Sequence, residues 1–418
     1  VGLATYHRVT ITGTVDSVIA LFNANPLVDH AEKIGVHRLD VIPNDPYYST
    51  DPIPSWPLAA NPPYPGHTWA LWGTYGVHAQ QAWDVETGDS TVVLAIPDTG
   101  VRYGHIDLGF KEPWGPTNPQ AGTAIWVNWV EIPNNSIDDD ANGFVDDTLG
   151  WDFVNETTGC INDCLTPDND PDDVYLHGTH IAGTIAAISN NKRHVTGVAA
   201  KPETGNANAP HTGIKLMVLR MGYKGTDGNG YVDMSYAAQA FNYIALMKSR
   251  GVNVAAVNCS WGSSNTGGMA AATDALIAQD VLVVVSAGNS GRSTTTSYLV
   301  NRTDVLSVAA TTIYGTKASF SNYGVLVDVA APGLDILSTI YYPNFDSSHR
   351  NHWLSHLSGT SMASPHIVAI AGLLESCNPA LTGPQKFTKI IANVNPAVGS
   401  FYIGSGIADA NKAVLSCG

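Results

Sequence analysis

Short, almost wholly apolar runs recur along this chain, at 91–96, 214–219, 252–257, 281–285, 305–310 and 325–330. Most are rich in Val, Leu and Ala, and none alternates as a half-exposed strand would. That is the pattern of parallel strands buried on both faces. Helical spacing lies between some of them. Asp233 is placed to cap a helix carrying Ala237, Phe241, Ile244 and Leu246, and Gly251 to close it. A second helix fits Met269 to Gln279. Helical spacing also follows His177, at Ile181, Ala182, Ile185, Ala186 and Ile188. After Ser361, residues Ile367, Ala369, Ile370, Ala371, Leu373 and Leu374 predict a nearly all-apolar, buried helix, in which Pro365 fits only near the start. This alternation predicts an α/β fold with a mostly parallel central sheet and helices on both faces, hence three layers.

The first 42 residues read differently. Arg8 to Thr14 predicts a strand, Val15 to Asn25 a short helix with Val18, Ile19, Leu21 and Phe22 apolar, and Asp29 to Gly35 the start of another extended stretch. Pro43 to Pro65 is Pro-rich and polar, as an exposed linker is. The expected organisation is therefore 1–42 as a separate segment and 43–418 as the main domain.

Three reactive residues sit at predicted element ends. Asp98, in Pro97-Asp98-Thr99-Gly100, ends the run 91–96. His177 opens a helix in His177-Gly178-Thr179-His180, and Ser361 opens another in Gly359-Thr360-Ser361-Met362-Ala363-Ser364-Pro365-His366. Taken singly, each is more often structural than catalytic. Together they supply carboxylate, imidazole and hydroxyl, the parts of a nucleophilic triad. A helix N-terminus also offers Ser361 backbone N–H groups for developing negative charge. Asn289, in Ser286-Ala287-Gly288-Asn289-Ser290-Gly291, follows the run 281–285. It is either an ordinary turn residue or, with the Ser361 N–H, an oxyanion donor. All four positions are predicted at one edge of the sheet, where such folds place their sites.

A metal loop is also legible. Asp138-Asp139-Asp140-Ala141-Asn142-Gly143-Phe144-Val145-Asp146-Asp147 alternates oxygen donors and has Gly at its sixth position. That matches the first half of an EF-hand-like calcium loop, with Asp138, Asp140, Asn142 and the Phe144 carbonyl as ligands. The twelfth position is Leu149, so closure must come from Asp146 or Asp147. A solvated acidic loop is the alternative.

The chain order Asp, His, Ser, with these local motifs, resembles the subtilisin family of serine endopeptidases. The resemblance runs from about Asn44 to Ala413 and includes Asn258-Cys259-Ser260-Trp261-Gly262, Val329-Ala330-Ala331-Pro332-Gly333 and Gly404-Ser405-Gly406-Ile407-Ala408-Asp409-Ala410. Pro97 departs from the aliphatic residue usual there and predicts that its strand ends one residue early. The resemblance implies a subtilisin-like three-layer fold and an acyl-enzyme mechanism. It implies that protein or peptide substrates pair with Ser260, Trp261 and Gly262 and with Gly228 and Gly230. Trp261 is then placed to line an apolar subsite, and Ser286, Ala287 and Gly288 form part of the primary pocket. It implies a second structural calcium site at Asp45, Asp107 and Asn191 with the carbonyls of Ile188, Arg193 and Val195. Asp168-Asn169-Asp170-Pro171-Asp172-Asp173 is either a third ion site or a charged loop beside the active site. Residues 1–42 resemble the latter half of an inhibitory propeptide, present as an unprocessed remnant or as an N-terminal extension.

Composition narrows the function. With 20 Lys plus Arg against 36 Asp plus Glu, the formal charge is −16, which argues against nucleic acid and suits bound cations. No run reaches the length of a membrane span. The chain starts at Val1 and shows no leader, so any signal peptide is expected to be gone already. Of five cysteines, Cys160–Cys164 and Cys377–Cys417 are the expected pairs with Cys259 free, and all five reduced is the alternative. Disulfides fit a secreted protein, expected here to be a monomer. A non-catalytic, calcium-bound binding protein would lack at least one of Asp98, His177, Asn289 or Ser361, and all four are present. A processing peptidase with a single substrate is the nearer rival to a degradative one.

Overall fold

The structure is a computed structural model that describes residues 15–28, 31, 43–48, 68–109, 115–200, 211, 213–341 and 353–417. The chain divides into two compact units, Val1–Leu39 and Asp40–Gly418. In the first, helix α1 (Val15–Asn23) forms where the apolar spacing predicts it. The strand expected at 8–14, nearly all of the extended stretch from 29 and most of 43–65 lie outside the described residues.

The second unit is built on a nine-stranded sheet. Its strands are β1 (Val92–Asp98), β2 (Gly150–Asp152), β4 (Lys215–Arg220), β7 (Asn253–Cys259), β8 (Leu282–Ser286), β9 (Leu306–Thr311), β10 (Val329–Pro332), β13 (Val394–Asn395) and β14 (Ile407–Ala408). The spatial order is β13-β14-β10-β9-β8-β7-β1-β4-β2. Neighbours are parallel except the β13–β14 pair at one edge. A small sheet, ordered β3-β5-β6, comprises β3 (Cys160–Ile161), β5 (Gly222–Gly225) and β6 (Gly230–Val232). A hairpin pairs β11 (Ile336–Thr339) with β12 (Leu354–Leu357).

The other helices are α2 (Trp69–Trp72), α3 (Ala79–Ala82), α4 (His177–Ala186), α5 (Met234–Ser249), α6 (Met269–Ile277), α7 (Thr360–Cys377), α8 (Gly383–Ala392) and α9 (Ala410–Leu415). The pleat of β1 explains its unbroken apolar run. Val92, Leu94 and Ile96 join one core with Ile181 and Ile185 of α4 and Ile367, Ile370 and Leu373 of α7. Val93 and Ala95 join a second core with Phe241 and Ile244 of α5 and Leu276 of α6. Each such large apolar side chain, fully buried, contributes roughly 2 kcal/mol by area. This is the three-layer α/β arrangement read from the sequence. Among the described residues no helix is long and apolar enough to cross a membrane.

Two boundaries differ from expectation. β1 does not stop before Pro97: it runs to Asp98, with Pro97 opposite Leu219 and Asp98 opposite Arg220. Pairing with β7 ends at Ala95 opposite Val257, and the Pro97 carbonyl accepts the Trp261 indole N–H at 2.9 Å. Proline therefore sits where the ladder on that side has already ended. The run at 325–330 becomes strand only at Val329, because Val327 N–H turns back to the Gly324 carbonyl and Val325 is exposed.

Cys160–Cys164 and Cys377–Cys417 are both bonded, and Cys259 is free and buried. The second bond closes 40 residues between the end of α7 and the end of α9. Replacing both cysteines by serine is expected to cost about 4 kcal/mol by the chain-entropy relation, read as a lower Tm with no change in the active-site pH profile.

Candidate active site

Asp98 is the last residue of β1 and His177 the first of α4. Asp98 is buried, and its Oδ1 accepts the Thr99 N–H at 2.8 Å and faces His177 Nδ1 at 2.8 Å. That bond assigns the proton to Nδ1 and leaves Nε2 as the basic nitrogen. The approach is possible because residue 178 is glycine. A Cβ there would lie 2.0 Å from the Gly100 carbonyl oxygen and 3.2 Å from the Asp98 Cβ. Leu176, just before the imidazole, has φ 141°, a region a side-chain-bearing residue avoids. Burial alone would lower the His177 pKa. The charge and hydrogen bond of Asp98 outweigh burial and raise it above the ordinary 6.5.

Ser361 is the second residue of α7, so its N–H has no partner within the helix. Its hydroxyl donates to the Ser260 carbonyl at 2.9 Å, not to His177. Pro365, four residues on, has no N–H to offer the Ser361 carbonyl, and the Ser260 hydroxyl donates to that carbonyl at 2.8 Å instead. Asn289 is held by its oxygen, which accepts the N–H of Thr360 at 2.8 Å and its hydroxyl at 2.9 Å. Its amide nitrogen is thereby turned outward. Asn289 Nδ2 and the Ser361 N both lie 3.6 Å from the point a Cβ on Gly359 would occupy, so two donors flank one small space. Thr360 is the part of this arrangement that sequence reasoning missed.

The residues expected to bind substrate lie on three separate segments. β6, with Gly230 at its start, is one of the two edge strands of the small sheet. A Cβ on Gly228 or Gly262 would meet no atom within 4 Å, so both face open space. Gly230 lies against the ring of Tyr175, where a Cβ would come within 2.7 Å. Ala287 and Gly288, just after Ser286 at the end of β8, are braced by Asn322, which bonds both of their carbonyls, and by Thr360, whose hydroxyl accepts the Gly288 N–H at 3.1 Å. Trp261 turns inward: it is buried among the α5 residues near Phe241, with its N–H on Pro97. The residue that meets Ser361 is the preceding Ser260, through its carbonyl and its hydroxyl.

The acidic loop converges differently from its spacing. Glu131, Asp140 and Asp147 each bring one oxygen within 4.8 Å of the others. Asn128 and Asn142 bond both Asp140 and Asp147. Asp140 Oδ1 is buried with no hydrogen-bond partner, and burial pushes Asp147 up to about 7. Asp138 and Asp146 are instead taken up by backbone N–H groups of Asn142, Gly143, Asn135 and Ser136, and the Phe144 ring packs on Trp151 and Tyr243. Glu131, outside the motif, carried no sequence signal.

At the second predicted site, Asp45 and Asp107 are buried and joined through Asn191, whose N–H reaches Asp45 and whose amide reaches Asp107, each at 3.0 Å. Burial raises Asp45 to about 6, and burial with the neighbouring Asp45 charge raises Asp107 to about 8. Val195 N–H bonds Asp107, Arg193 N–H bonds Asn191, and Ile188 N–H bonds the Asp107 carbonyl. In the 168–173 run, Asp170 accepts the Tyr103 hydroxyl and Asp172 pairs with Arg102, so these carboxylates already have protein partners.

Residues 89–402 match the subtilase family. The chain is 32% identical over 379 residues to a thermophilic serine proteinase of a Bacillus species, covering 87% of this chain and 67% of that one. It is 30% identical over 406 residues to an extracellular protease of Xanthomonas campestris, covering 95% of this chain and 64% of that one. It is 29% identical over 372 residues to thermitase of Thermoactinomyces vulgaris, covering 89% of this chain and 99% of that one. A solved structure of a protease from Pseudoalteromonas arctica shares the fold, with TM-score 0.62 and 24% identity over 90% of this chain and 99% of that one.

An imidazole works as a base only when neutral. Because Asp98 holds the His177 pKa above 6.5, the acid limb of kcat/KM is expected above pH 6.5, with the rate falling as pH drops through it. Asp98→Asn should move that limb to lower pH; a limb at or below 6.5 in the unaltered protein contradicts this geometry.

Proposed function

The chain belongs to the subtilase family of serine endopeptidases, and on that premise we propose that it hydrolyses peptide bonds of proteins through Asp98, His177 and Ser361. The observation that carries this reading is the His177 Nδ1 contact with the Asp98 carboxylate at 2.8 Å, beside a helix whose second residue is Ser361. The Ser361 hydroxyl turns from the Ser260 carbonyl toward His177 Nε2, gives up its proton there and attacks the substrate carbonyl. His177 returns the proton to the leaving amine, and water then repeats the sequence on the acyl-enzyme. Asp98 keeps the imidazole in one tautomer and stabilises its cation. Asn289 Nδ2 and the Ser361 N–H receive the oxyanion. An extended substrate lies between the β6 edge at Gly228 and Gly230 and the backbone of Ser260–Gly262, as an added strand. Ser286, Ala287 and Gly288 flank its primary side chain.

Calcium fits both acidic clusters. One oxygen each of Glu131, Asp140 and Asp147 converges as a hard-donor set, and Asp140 Oδ1 lacks a hydrogen bond and has only Arg250 Nη1 at 3.7 Å; Asn128 and Asn142 turn their amide nitrogens to these carboxylates. Asp45 and Asp107 are two buried carboxylates that repel each other. A bound calcium would supply compensating charge and fix these loops; it has no part in the chemical steps. The acidic composition, the two disulfides and the extracellular relatives support secretion. Residues 1–42 are read as a propeptide-like segment and 43–418 as the catalytic domain.

Denatured casein is expected to be cut at many bonds by the full chain and by residues 43–418 alone, and not by Ser361→Ala. Hydrolysis surviving Ser361→Ala contradicts the mechanism, and cleavage of a single sequence favours a processing enzyme. Chelation is expected to lower the Tm, and Asp140→Asn to shrink that difference. An unchanged Tm on chelation contradicts structural calcium.

A further inference from the structure

We infer that Asp173 is a positioning residue that fastens the two halves of the Asp98–His177 pair to each other; this rests on the peptidase reading above. Asp173 lies four residues before His177, is 2% exposed and belongs to neither element that carries the pair. Its Oδ1 accepts the Thr99 hydroxyl at 2.9 Å and the N–H groups of Tyr175 and Leu176 at 2.8 and 3.0 Å. Its Oδ2 accepts the Thr179 N–H at 3.0 Å and the Thr179 hydroxyl at 2.5 Å. Thr99 follows Asp98 at the end of β1, and Thr179 stands two residues after His177. The Thr99 hydroxyl, while donating to Asp173, also accepts the Gly178 N–H at 3.1 Å.

One carboxylate thus takes five donors from three places: the strand end, the helix start and the strained turn between them. The strain is at Leu176, whose φ of 141° is held by its N–H bond to Asp173. Without that anchor the turn is free to relax, and the imidazole leaves its line with Asp98. Burial raises the Asp173 pKa, while the hydrogen bonds from Thr179, Tyr175 and Thr99 oppose that rise. The Asp173 charge also helps to keep the His177 pKa up.

The groups facing His177 are few. Asp98 faces it from β1, Asp173 from the preceding loop and His180 from its own helix. Burial keeps His180 neutral, with a pKa of about 3. From the β11–β12 hairpin packed on α4, His356 faces His180 and is itself lowered by burial. Ser361 on α7 does not titrate. Removing the Asp173 charge therefore moves His177 in one direction, downward.

The test is Asp173→Asn in the full chain, with kcat counted per active site titrated by a serine-directed phosphonate. Misplacement of a catalytic group by about 1 Å costs on the order of 100-fold, so kcat is expected to fall at least tenfold. KM for a short peptide should stay within about twofold, because the substrate edges are untouched. The acid limb of kcat/KM should move to lower pH. Wild-type kcat with an unmoved limb overturns the inference, as does a loss confined to the Tm or to the fraction of titratable sites. If Asp173→Asn does not fold, Thr99→Val leaves the carboxylate and removes the hydroxyl that ties it to both the strand end and the Gly178 N–H: a tenfold loss in kcat with KM within about twofold supports the inference, and a wild-type kcat overturns it. Failure of the peptidase reading looks different, since the unaltered chain would then show no Ser361-dependent hydrolysis at all.

Discussion

The site depends on one close approach, that of the start of α4 to the carboxyl end of β1. Two backbones meet there with no room for a side chain: a Cβ on Gly178 would sit 2.0 Å from the Gly100 oxygen, and one on Gly100 2.4 Å from the Asp172 oxygen. That proximity sets the Asp98–His177 bond, and the bond sets the tautomer and basicity of the imidazole. The sheet makes the approach rigid. β1 is the third strand from one edge, paired on both sides, with its side chains shared between two cores. A carboxylate at the end of such a strand has little freedom to drift.

The Ser361 side is organised by backbone groups that ordinary helix geometry leaves unused. Ser361 has a free N–H because it is at a helix start, and a free carbonyl because Pro365 cannot donate to it. Ser260 claims the carbonyl, while the N–H stays beside Asn289 Nδ2. Thr360 turns that amide by holding its oxygen. Serine, proline, threonine and asparagine thus act as one unit, in which each residue removes a freedom from the next.

The fold was largely legible because buried parallel strands must be apolar on both faces, and six such runs stood out. β1 and β7 were read to within two residues. The run at 325–330 was read too early, because apolar composition does not reveal that Val325 is exposed at a turn. Pro97 misled for a related reason: a missing donor matters only where a neighbour needs it, and neighbours are not visible in one dimension. Asp98, His177, Asn289 and Ser361 were each marked by local neighbours, and the structure places them along the sheet edge. Asp173 and Glu131 were not separable from other acids, since their importance lies in long-range partners. Trp261 was read as a subsite wall from its position in the motif; its ring turns into the core, a choice that side-chain packing makes.

The central claim is that Asp98, His177 and Ser361 form one reactive unit. Labelling with a serine-directed fluorophosphonate, followed by peptide mapping, tests it most directly. The account predicts a single adduct, on Ser361, whose rate of formation collapses in His177→Ala although that variant remains folded. An adduct on another serine, or labelling of Ser361 that proceeds unchanged without His177, would contradict it.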